Sequence, residues 1–249
     1  MLIGLPQAIA LGSAVCRWKI YLLNRNVETA MKALVAGATG KTGHRIVEEL
    51  LKRNIPVRAL VRDVDAARNS FPPEVELVAA DVLQPETLVN ALGDRTVLLC
   101  ATGARPSFDL TGPYKVDYEG TRHLVDAAKA HGIEHFVFVS SLCVSKLFHP
   151  LNLFGLILVW KQKAEQYLQQ SGLTYTIVRP GGLTEAESTS AVVMKPADTL
   201  FEGSIPRRQV AQVCVEALFQ PTARNQIIEV IAEAAAPAKP VEELFTSVA

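Results

Sequence analysis

Short apolar runs alternate with amphipathic stretches from residue 31 to residue 249. Apolar runs of strand length occur at 32–36, 57–61, 75–79, 96–101, 135–139, 174–179 and 227–231. Between them, apolar residues recur at helical spacing in 42–51, 117–130, 161–170 and 210–218. Continuously apolar strands that alternate with amphipathic helices are typical of a parallel sheet covered on both faces. The pattern therefore predicts a single doubly wound α/β domain, with a parallel sheet and helices on both faces, over residues 31–249.

Residues 1–30 lack this alternation, and we interpret them as an N-terminal appendage. Residues 2–16 are apolar but are interrupted by Pro6, Gln7 and Gly12. They are also shorter than the roughly 20 residues that a membrane span needs. Basic residues follow this stretch, whereas a secretory signal carries them before it. We favour a mis-assigned start, with translation beginning at Met31; a weak membrane-surface anchor and a targeting segment are the alternatives.

The charge balance argues against a nucleic-acid partner. Lys and Arg number 25, and Asp and Glu also number 25, so no net basic field exists to hold a phosphate polymer. The cysteines are Cys16, Cys100, Cys143 and Cys214, and no two of them form a CxxC pair. This spacing excludes a zinc ribbon and a thioredoxin-type dithiol, and no metal site is predicted. We expect reduced thiols in a cytosol-like compartment, with Cys100 and Cys143 as buried apolar residues.

The segment after the first predicted strand is rich in glycine and reads GATGKTG at 37–43. Glycines here allow a tight turn and let backbone N–H groups approach a pyrophosphate, and the next helix offers its positive dipole end. Gly43 removes a side chain where the helix would otherwise stand off from the sheet. A strand, this turn and a helix in succession are typical of a Rossmann-type dinucleotide site, the alternative being a turn without ligand. The predicted pyrophosphate-binding residues are Gly37, Thr39, Gly40, Lys41, Thr42 and Gly43.

The residues after the second predicted strand bear on which dinucleotide is bound. NAD enzymes usually place an acidic residue there, where it bonds the ribose 2′-hydroxyl. Arg62 instead offers a planar fork suited to a 2′-phosphate, and Arg58 and Lys41 would add positive charge nearby. This favours NADP over NAD, although Asp63 leaves NAD possible. A surface pair between Arg62 and Asp63 is the alternative without a ligand.

Two further pairs of residues follow predicted strands at the edge where open α/β sheets bind ligands. Asp81 and Val82 follow the third strand and are candidates for contacting adenine. Thr102 and Gly103 follow the fourth strand and are candidates for the ribose and pyrophosphate. Each pair alone is also compatible with ordinary turn chemistry.

These residues together resemble a known family. The residues concerned are the glycine turn at 37–43, Arg62, Asp81-Val82, Ser140-Ser141 and RPGG at 179–182. They resemble the atypical short-chain dehydrogenase/reductases of the NmrA-like, NAD(P)-binding type. The block 151–182 is similar to the NADP(H)-binding domain of the redox-sensing subunit of the chloroplast inner-envelope import translocon. The resemblance covers about residues 31–249, and it implies NADP(H) binding in the cytoplasm or, in a photosynthetic eukaryote, the plastid stroma.

The resemblance also implies which groups would perform hydride chemistry. Relatives of this type use a Ser, a Tyr and a Lys four residues after the Tyr, and Ser141 and Lys161 match the Ser and the Lys. Ile157 stands at the Tyr position, and isoleucine cannot donate a proton. An ion pair between Lys161 and Glu165 is the alternative for the lysine, and capping of a turn is the alternative for Ser141.

The substrate side of the site has two further sets of candidates. In related folds the loop formed here by Pro180, Gly181 and Gly182 lies against the nicotinamide, where glycine permits close approach and proline fixes the exit of the strand. The candidate replacement acids are Tyr114, Tyr118, Tyr167 and His149.

Three functions are compatible with these residues. The first is an oxidoreductase that passes hydride from NADPH to a conjugated acceptor such as a flavin or quinone, which tolerates the loss of the Tyr because solvent can supply protons. The second is a non-catalytic NADP(H) redox sensor or assembly factor that is read by a protein partner. The third, a sugar-nucleotide epimerase, needs the missing proton-transfer group and is disfavoured. The expected partner is a small-molecule acceptor or a redox protein, with at most peripheral membrane association.

Overall fold

The computed structural model describes residues 31–104, 109–186 and 190–248. The fold given below is that of the unit formed by residues 32–249. The predicted appendage at 1–30 lies outside the described residues, so the interpretation of the start stays a prediction.

Strands and helices alternate along this unit. The first half consists of β1 (Ala33–Ala36), α1 (Lys41–Lys52), β2 (Val57–Val61), α2 (Val64–Ala67), β3 (Glu76–Ala79), α3 (Pro85–Leu92) and β4 (Val97–Cys100). The second half consists of α4 (Thr121–Ala130), β5 (His135–Val139), α5 (Ile157–Gln170), β6 (Tyr175–Pro180), β7 (Gly182–Thr184), β8 (Ala191–Pro196), β9 (Ser204–Pro206), α6 (Arg207–Glu216), β10 (Gln226–Glu233) and α7 (Val241–Thr246). A π-helical segment, Pro113–Gly120, runs directly into α4.

Eight strands form the central sheet in the order β3-β2-β1-β4-β5-β6-β10-β8. Neighbouring strands are parallel from β3 to β10, and β8 pairs with β10 in the antiparallel direction. The predicted parallel sheet thus carries one additional, antiparallel strand at this edge. β8 is only partly buried and ends in two exposed residues, and the sequence pattern did not predict it. A second, two-stranded sheet pairs β7 with β9.

Helices cover both faces of the sheet, and the predicted doubly wound architecture is confirmed. On one face, α1 packs against α6 and buries Ile46, Val47 and Leu50. On the other face, α3, α4 and α5 contribute buried side chains to a cluster with the central strands, including Leu92, Leu124 and Leu168. No helix within the described ranges has both the length and the apolar character that crossing a bilayer requires.

Several elements differ from their predicted bounds. Helix α5 begins at Ile157, four residues before the predicted start, and α6 begins at Arg207 rather than 210. The predicted helix 117–130 is π-helical up to Gly120 and α-helical afterwards. The pattern did not predict α2, α3, α7, β7 or β9, which are short, nor the edge strand β8.

Candidate dinucleotide-binding site

The glycine turn between β1 and α1 brings three stretches of backbone into close contact. Gly37 has a φ of +79°, and a Cβ at this position would lie 2.6 Å from the carbonyl oxygen of Ala101. A Cβ at Gly43 would lie 2.2 Å from the carbonyl oxygen of Gly37. Since both neighbours are backbone atoms, no flexible side chain can move aside. Glycine is therefore required where the turn meets α1 and the exit of β4.

The N-terminus of α1 offers uncapped backbone donors. Gly40 is the N-cap residue, no side chain caps the helix, and its first turn contains no acidic residue. The Gly40 N–H donates to the carbonyl oxygen of Gly37 at 2.9 Å and so closes the turn. The first N–H groups of a helix have no partner within the helix, and they carry its positive dipole end. The turn therefore fits the pyrophosphate of a dinucleotide.

A cavity of about 350 Å³ opens beside this turn. It lies at the carboxyl edge of the sheet, where the strand order reverses between β1 and β4. Ligands of open α/β sheets bind at this topological position. The predicted residues that line it are Gly37, Thr39, Gly40, Arg62, Asp81, Val82, Thr102 and Gly103. The tertiary structure thus brings together groups from the ends of four strands.

Arg62 lies exposed at the mouth of this cavity and makes no ion pair within the described part of the chain. The carboxylate of Asp63 instead caps α2, accepting from the Ala66 N–H at 3.0 Å. The alternative of a surface pair between Arg62 and Asp63 is therefore wrong. The expectation that Arg58 adds charge here is also wrong, because its guanidinium bonds Glu76 at 2.7 Å near the other end of β2.

Lys41 lies beside a second cavity of about 500 Å³ that shares Thr39 and Gly40 with the first. Its Nζ is 3.1 Å from Glu185, and Arg207 donates to the same carboxylate at 2.7 Å. The hydrogen bond from Lys41 is the main reason why the pKa of Glu185 is held below its usual range. Lys41 is thus close to the helix N-terminus, as predicted. Thr42, the second residue of α1, is half-buried and lines neither cavity.

The two pairs at the ends of β3 and β4 line the cavity while also making turn contacts. Asp81 accepts from the Leu83 N–H at 2.9 Å in an Asx turn. Val82 is 8% exposed, and the hydroxyl of Thr102 lies 3.2 Å from the thiol of Cys100. Asp81, Val82 and Thr102 can therefore make these turn contacts and still line a cavity that binds a dinucleotide.

A buried ion pair that the sequence analysis missed lies behind the cavity wall. Asp117 is 1% exposed on the π-helical segment, and its Oδ1 lies 2.9 Å from the Nζ of Lys161 on α5. Its Oδ2 accepts from the N–H of Ala104, a residue that lines the cavity. The Lys161 ammonium also lies 5.6 Å from the ring centroid of Phe138. Asp117 therefore connects the loop after β4 to Lys161.

A sequence signal for Asp117 was available. It precedes Thr121 by four positions and so belongs to the helical face that also presents Leu124 and Ala128. An acidic residue on an otherwise apolar face indicates a buried charge, which requires a partner. The sequence could have flagged Asp117, although it could not have named Lys161.

Glu165 does not pair with Lys161, so that alternative is wrong. Its carboxylate accepts two hydrogen bonds from Arg179, at 3.0 and 2.7 Å. The guanidinium of Arg179 also lies 3.1 Å from Asp198 and 3.4 Å from the buried Glu229. This network fastens the loop after β8 to β6, β10 and α5, and it leaves Lys161 to Asp117.

Two serines follow β5, and the residue at the Tyr position begins α5. Ser141 is half-buried and makes no side-chain hydrogen bond to the described residues, so the turn-capping alternative is not observed. The Oγ of the neighbouring Ser140 is buried, and it too has no partner among the residues described. Ile157 is the first residue of α5, one turn before Lys161, and it packs on the apolar cluster that includes Leu142. The spacing of the triad is thus present on one helix without its acid.

Two of the candidate replacement acids donate to carboxylates. The Tyr114 hydroxyl donates to Glu119 at 2.9 Å, and the Tyr167 hydroxyl donates to Asp126 at 2.7 Å. These hydrogen bonds are the main reason why the pKa of each tyrosine is raised. Both hydroxyls are therefore weaker acids than an ordinary tyrosine.

The other two candidates have different surroundings. The Nδ1 of His149 accepts from the Leu151 N–H at 3.2 Å. Tyr118 makes no side-chain hydrogen bond to the described residues, and its ring packs 5.9 Å from that of Trp160, measured between centroids. Among the three tyrosines, Tyr118 is therefore the one whose hydroxyl has no hydrogen-bond partner in the described residues.

The predicted loop on the nicotinamide side follows β6. Pro180 ends β6, and Gly181 donates to the carbonyl oxygen of Val230 at 2.9 Å. Gly182 donates to the carbonyl oxygen of Gly203 at 2.9 Å, and a Cβ at Gly181 would lie 2.6 Å from the same oxygen. These residues therefore pack on the segment before β9 and lie outside the cavity beside the glycine turn.

The described thiols are buried and unpaired. Cys100, Cys143 and Cys214 form no disulfide with one another. Burial raises the pKa of all three, that of Cys214 to about 12. Such thiols are protonated at neutral pH and are poor nucleophiles.

A sequence model of the NAD(P)H-binding family matches residues 37–221, about three quarters of the chain. The chain belongs to this family. It is 49% identical over 236 residues to a chloroplastic protein of Arabidopsis thaliana, which covers 90% of this chain and 84% of the relative. It is also 39% identical to the chloroplastic protein TIC 62 of Pisum sativum, with 86% of this chain and 45% of that protein covered. The chain thus spans less than half of TIC 62.

Two proteins similar to this chain are named reductases. Sanguinarine reductase of Eschscholzia californica is 30% identical, with 80% of this chain and 88% of the enzyme covered. The structure of an anaerobillin reductase of Escherichia coli O157:H7 superposes with a TM-score of 0.70 at 27% identity, covering 84% of this chain and all of that one. A Bacillus halodurans protein described as an NAD-dependent epimerase/dehydratase superposes with a TM-score of 0.77, at 27% identity over 88% of this chain and all of that one. The predicted family, Rossmann-type fold and NAD(P)H binding are confirmed.

Proposed function

We propose that this protein is an NADP(H)-dependent oxidoreductase that passes hydride to a conjugated acceptor of the flavin or quinone type. Membership of the NAD(P)H-binding family and the two relatives named as reductases support this class of reaction. The observation that carries the choice of acceptor is Ile157, one helical turn before the buried Lys161. A protein with this arrangement can hold a nicotinamide but has no acid at the usual place.

NADPH is the proposed cofactor, with NADH as the alternative. The exposed Arg62 lines the cavity at the end of β2, while the neighbouring carboxylate of Asp63 is engaged in capping α2. A guanidinium can form two parallel hydrogen bonds to a phosphate, whereas a 2′-hydroxyl offers it no anionic partner. Arg62 would therefore bind the 2′-phosphate, with Lys41 adding positive charge at the helix N-terminus.

The residues of this chain would then divide the work as follows. The glycine turn and the N-terminus of α1 bind the pyrophosphate, and Lys161 holds the nicotinamide ribose. Asp117 holds the Lys161 side chain in place through their 2.9 Å contact. When bound, the reduced nicotinamide supplies the hydride. One proton from solvent completes the two-electron reduction of the acceptor, so no acidic side chain need be positioned beside it.

The test compares acceptors with one protein preparation. The purified full chain should oxidise NADPH with a free flavin or a soluble quinone, and turnover with a simple ketone or aldehyde should be near background. Reduction of a simple carbonyl creates an alkoxide that must be protonated, and a positioned acid typically contributes about 10²–10⁴-fold. Robust ketone reduction that disappears in Ser141→Ala would contradict the proposal, and Tyr118 would become the first acid to test. Ile157→Tyr alone should not restore carbonyl reduction unless Lys161 and Ser141 also face the nicotinamide.

The second candidate is a non-catalytic NADP(H) sensor or assembly factor. The same Ile157 favours it, since a protein without an acid need not turn over at all. This chain spans 45% of TIC 62, the relative named above, which is not named as an enzyme. Pull-down experiments with NADPH, with NADP⁺ and without cofactor would support this candidate if a partner bound in one state alone while no acceptor was reduced.

The partner and the compartment follow from the same features. We propose a small-molecule acceptor or a redox protein as partner, rather than a nucleic acid, since basic and acidic residues balance at 25 each. We also propose that the protein works in the cytoplasm or, in a photosynthetic eukaryote, in the plastid stroma. The relatives named as chloroplastic and the buried, unpaired thiols support such a reducing compartment. Fractionation of source cells would test the location.

A further inference from the structure

Half of the exposed large apolar side chains in the described residues belong to one short stretch of chain. This apolar segment, residues 147–156, follows β5 and leads into α5. Six of its ten residues expose a large apolar side chain: Leu147 (59%), Phe148 (97%), Leu151 (43%), Leu153 (81%), Phe154 (66%) and Leu156 (45%). Single exposed apolar residues need no explanation, but a contiguous group usually marks a surface that another body covers.

The backbone of the apolar segment is built to hold these side chains outward. Asn152 is 9% exposed, and its side chain donates to the carbonyl oxygen of Leu147 at 2.8 Å and accepts from the Leu158 N–H at 3.0 Å. Gly155 has a φ of +71°, and a Cβ there would lie 2.4 Å from the carbonyl oxygen of Leu110. The buried amide of Asn152 thus bonds both the first residue of the segment and the first turn of α5. Gly155 allows the segment to pack closely against the backbone of Leu110. The exposure is therefore a property of an ordered loop.

The charged residues on either side of the apolar segment along the chain are basic. No Asp or Glu occurs between Glu134 and Glu165, and the carboxylate of Glu165 is buried against Arg179. Lys146 and Lys163 flank the segment, are exposed, and make no ion pair with any described residue. Their ammonium groups lie over aromatic rings instead, Lys146 at 4.1 Å from the Phe201 centroid and Lys163 at 5.4 Å from that of Trp160. The nearby acid Asp109 is paired with Lys115 at 3.5 Å.

We propose that the apolar segment is a docking surface for an anionic lipid bilayer. A side chain as exposed as Phe148 projects from the surface and does not line a groove. Projecting Phe and Leu side chains can enter the boundary between headgroups and acyl chains, and lysines beside them attract anionic headgroups. Lys146 and Lys163 can supply this attraction because both are exposed and neither forms an ion pair with a described residue.

The proposed docking is peripheral, and it gives the site an orientation. The segment follows the carboxyl end of β5, the sheet edge at which the cofactor cavity opens, and it ends one residue before α5 begins. A docked molecule would present this edge, rather than the opposite edge, to the bilayer.

Vesicle sedimentation tests this surface with the full chain. The probe is a vesicle of phosphatidylcholine mixed with phosphatidylglycerol, compared with phosphatidylcholine alone. We expect the protein to sediment with the anionic vesicles and to bind the neutral ones more weakly. Phe148→Ser/Leu153→Ser should lower the partition coefficient about a hundredfold or more, because each fully buried Phe or Leu contributes at least about tenfold. Lys146→Gln and Lys163→Gln should each lower it roughly fivefold.

The control is Val89→Ser, which removes a 56% exposed apolar side chain on α3, outside the apolar segment. It should sediment like the wild type, and all variants should bind NADPH with unchanged affinity. Absence of sedimentation by the wild type would overturn the proposal. So would a Phe148→Ser/Leu153→Ser variant that sediments like the wild type, because the membrane contact would then lie elsewhere, for example in residues 1–30. A wild-type dimer that the double variant converts to a monomer, without vesicle binding, would instead assign the surface to a second copy.

Discussion

The two halves of the site are built in different ways. The half beside the glycine turn is made largely of backbone and short side chains at the ends of β1 to β4, and it encloses a cavity of about 350 Å³. The half around Lys161 depends on one buried ion pair between the π-helical segment and α5. The first half contains the predicted glycine turn, whereas the second has Ile157 at the predicted Tyr position. In the proposed function, cofactor binding and proton transfer therefore rest on separate parts of the structure, and one can be lost while the other is kept.

Gly43→Val should have the largest effect and should fall on the first half. Its side chain would begin 2.2 Å from the carbonyl oxygen of Gly37, so the turn and α1 would have to separate. We expect a loss of stability on the order of 4 kcal/mol or more, with NADPH binding abolished. Chemical unfolding and cofactor titration measure the two effects. Gly132→Ala is the control, since a Cβ there meets nothing within 4 Å, although its φ is +69°. It should cost about 1 kcal/mol of stability without weakening NADPH.

Lys161→Met should destabilise the half of the site around Lys161, because it leaves the carboxylate of Asp117 buried without its cation. Removing one partner of a buried ion pair typically costs about 3–5 kcal/mol. The double variant Lys161→Met/Asp117→Asn should recover part of this loss, because it leaves no buried charge. Urea unfolding of both proteins measures the difference. Equal destabilisation in the single and double variants would mean that packing, rather than the charge of Asp117, dominates this region.

Acid should weaken the scaffold through His135, at the far end of β5 from the site. Its pKa is lowered to about 4, chiefly because burial penalises the charged imidazolium and secondly because Arg224 repels it. An unfolded histidine titrates near 6.5, so between pH 6.5 and 4 the unfolded chain binds more protons and stability falls as the pH falls. The loss from this group should approach about 3 kcal/mol at pH 4.

His135→Gln is the comparison for this pH dependence. It should unfold with a flatter profile between pH 6.5 and 4, because glutamine does not titrate. NADPH affinity at neutral pH should be the same in both proteins. An unchanged slope in the variant would assign the acid sensitivity to other groups.

Arg62→Ala should have the smallest effect, and it tests whether the half of the site beside the glycine turn distinguishes NADPH from NADH. We expect NADPH binding to weaken by about 1.5–3 kcal/mol, the range of a charge-assisted contact, while NADH binding barely changes. Arg68→Ala is the matched control, since Arg68 is a nearby exposed arginine that pairs with Asp65. Isothermal titration with both cofactors measures the two affinities. Equal losses for NADPH and NADH would mean that Arg62 does not contact the 2′-phosphate.

The strands show how far local pattern reaches. The predicted bounds of the strands at 57–61 and 135–139 agree with β2 and β5, because inner parallel strands are buried on both faces and read as apolar runs. The pattern missed β8, which lies at the edge of the sheet and is only partly buried. It also placed the start of α5 at Lys161, four residues too late. Residues 157–160 are all apolar, so no polar residue marks the true start of the helix.

The sequence by itself determined the glycine turn, the alternation that makes a doubly wound sheet, and the isoleucine at the Tyr position. These features are local, since each depends on residues within one turn or one strand–helix unit. Only the tertiary structure decided the partners of the buried charges: Asp117 for Lys161 and Arg179 for Glu165. Asp117 and Lys161 are 44 positions apart. A buried charge is stable only beside an opposite charge. Which opposite charge lies there depends on how distant helices and strands pack, and a local sequence pattern does not determine this packing.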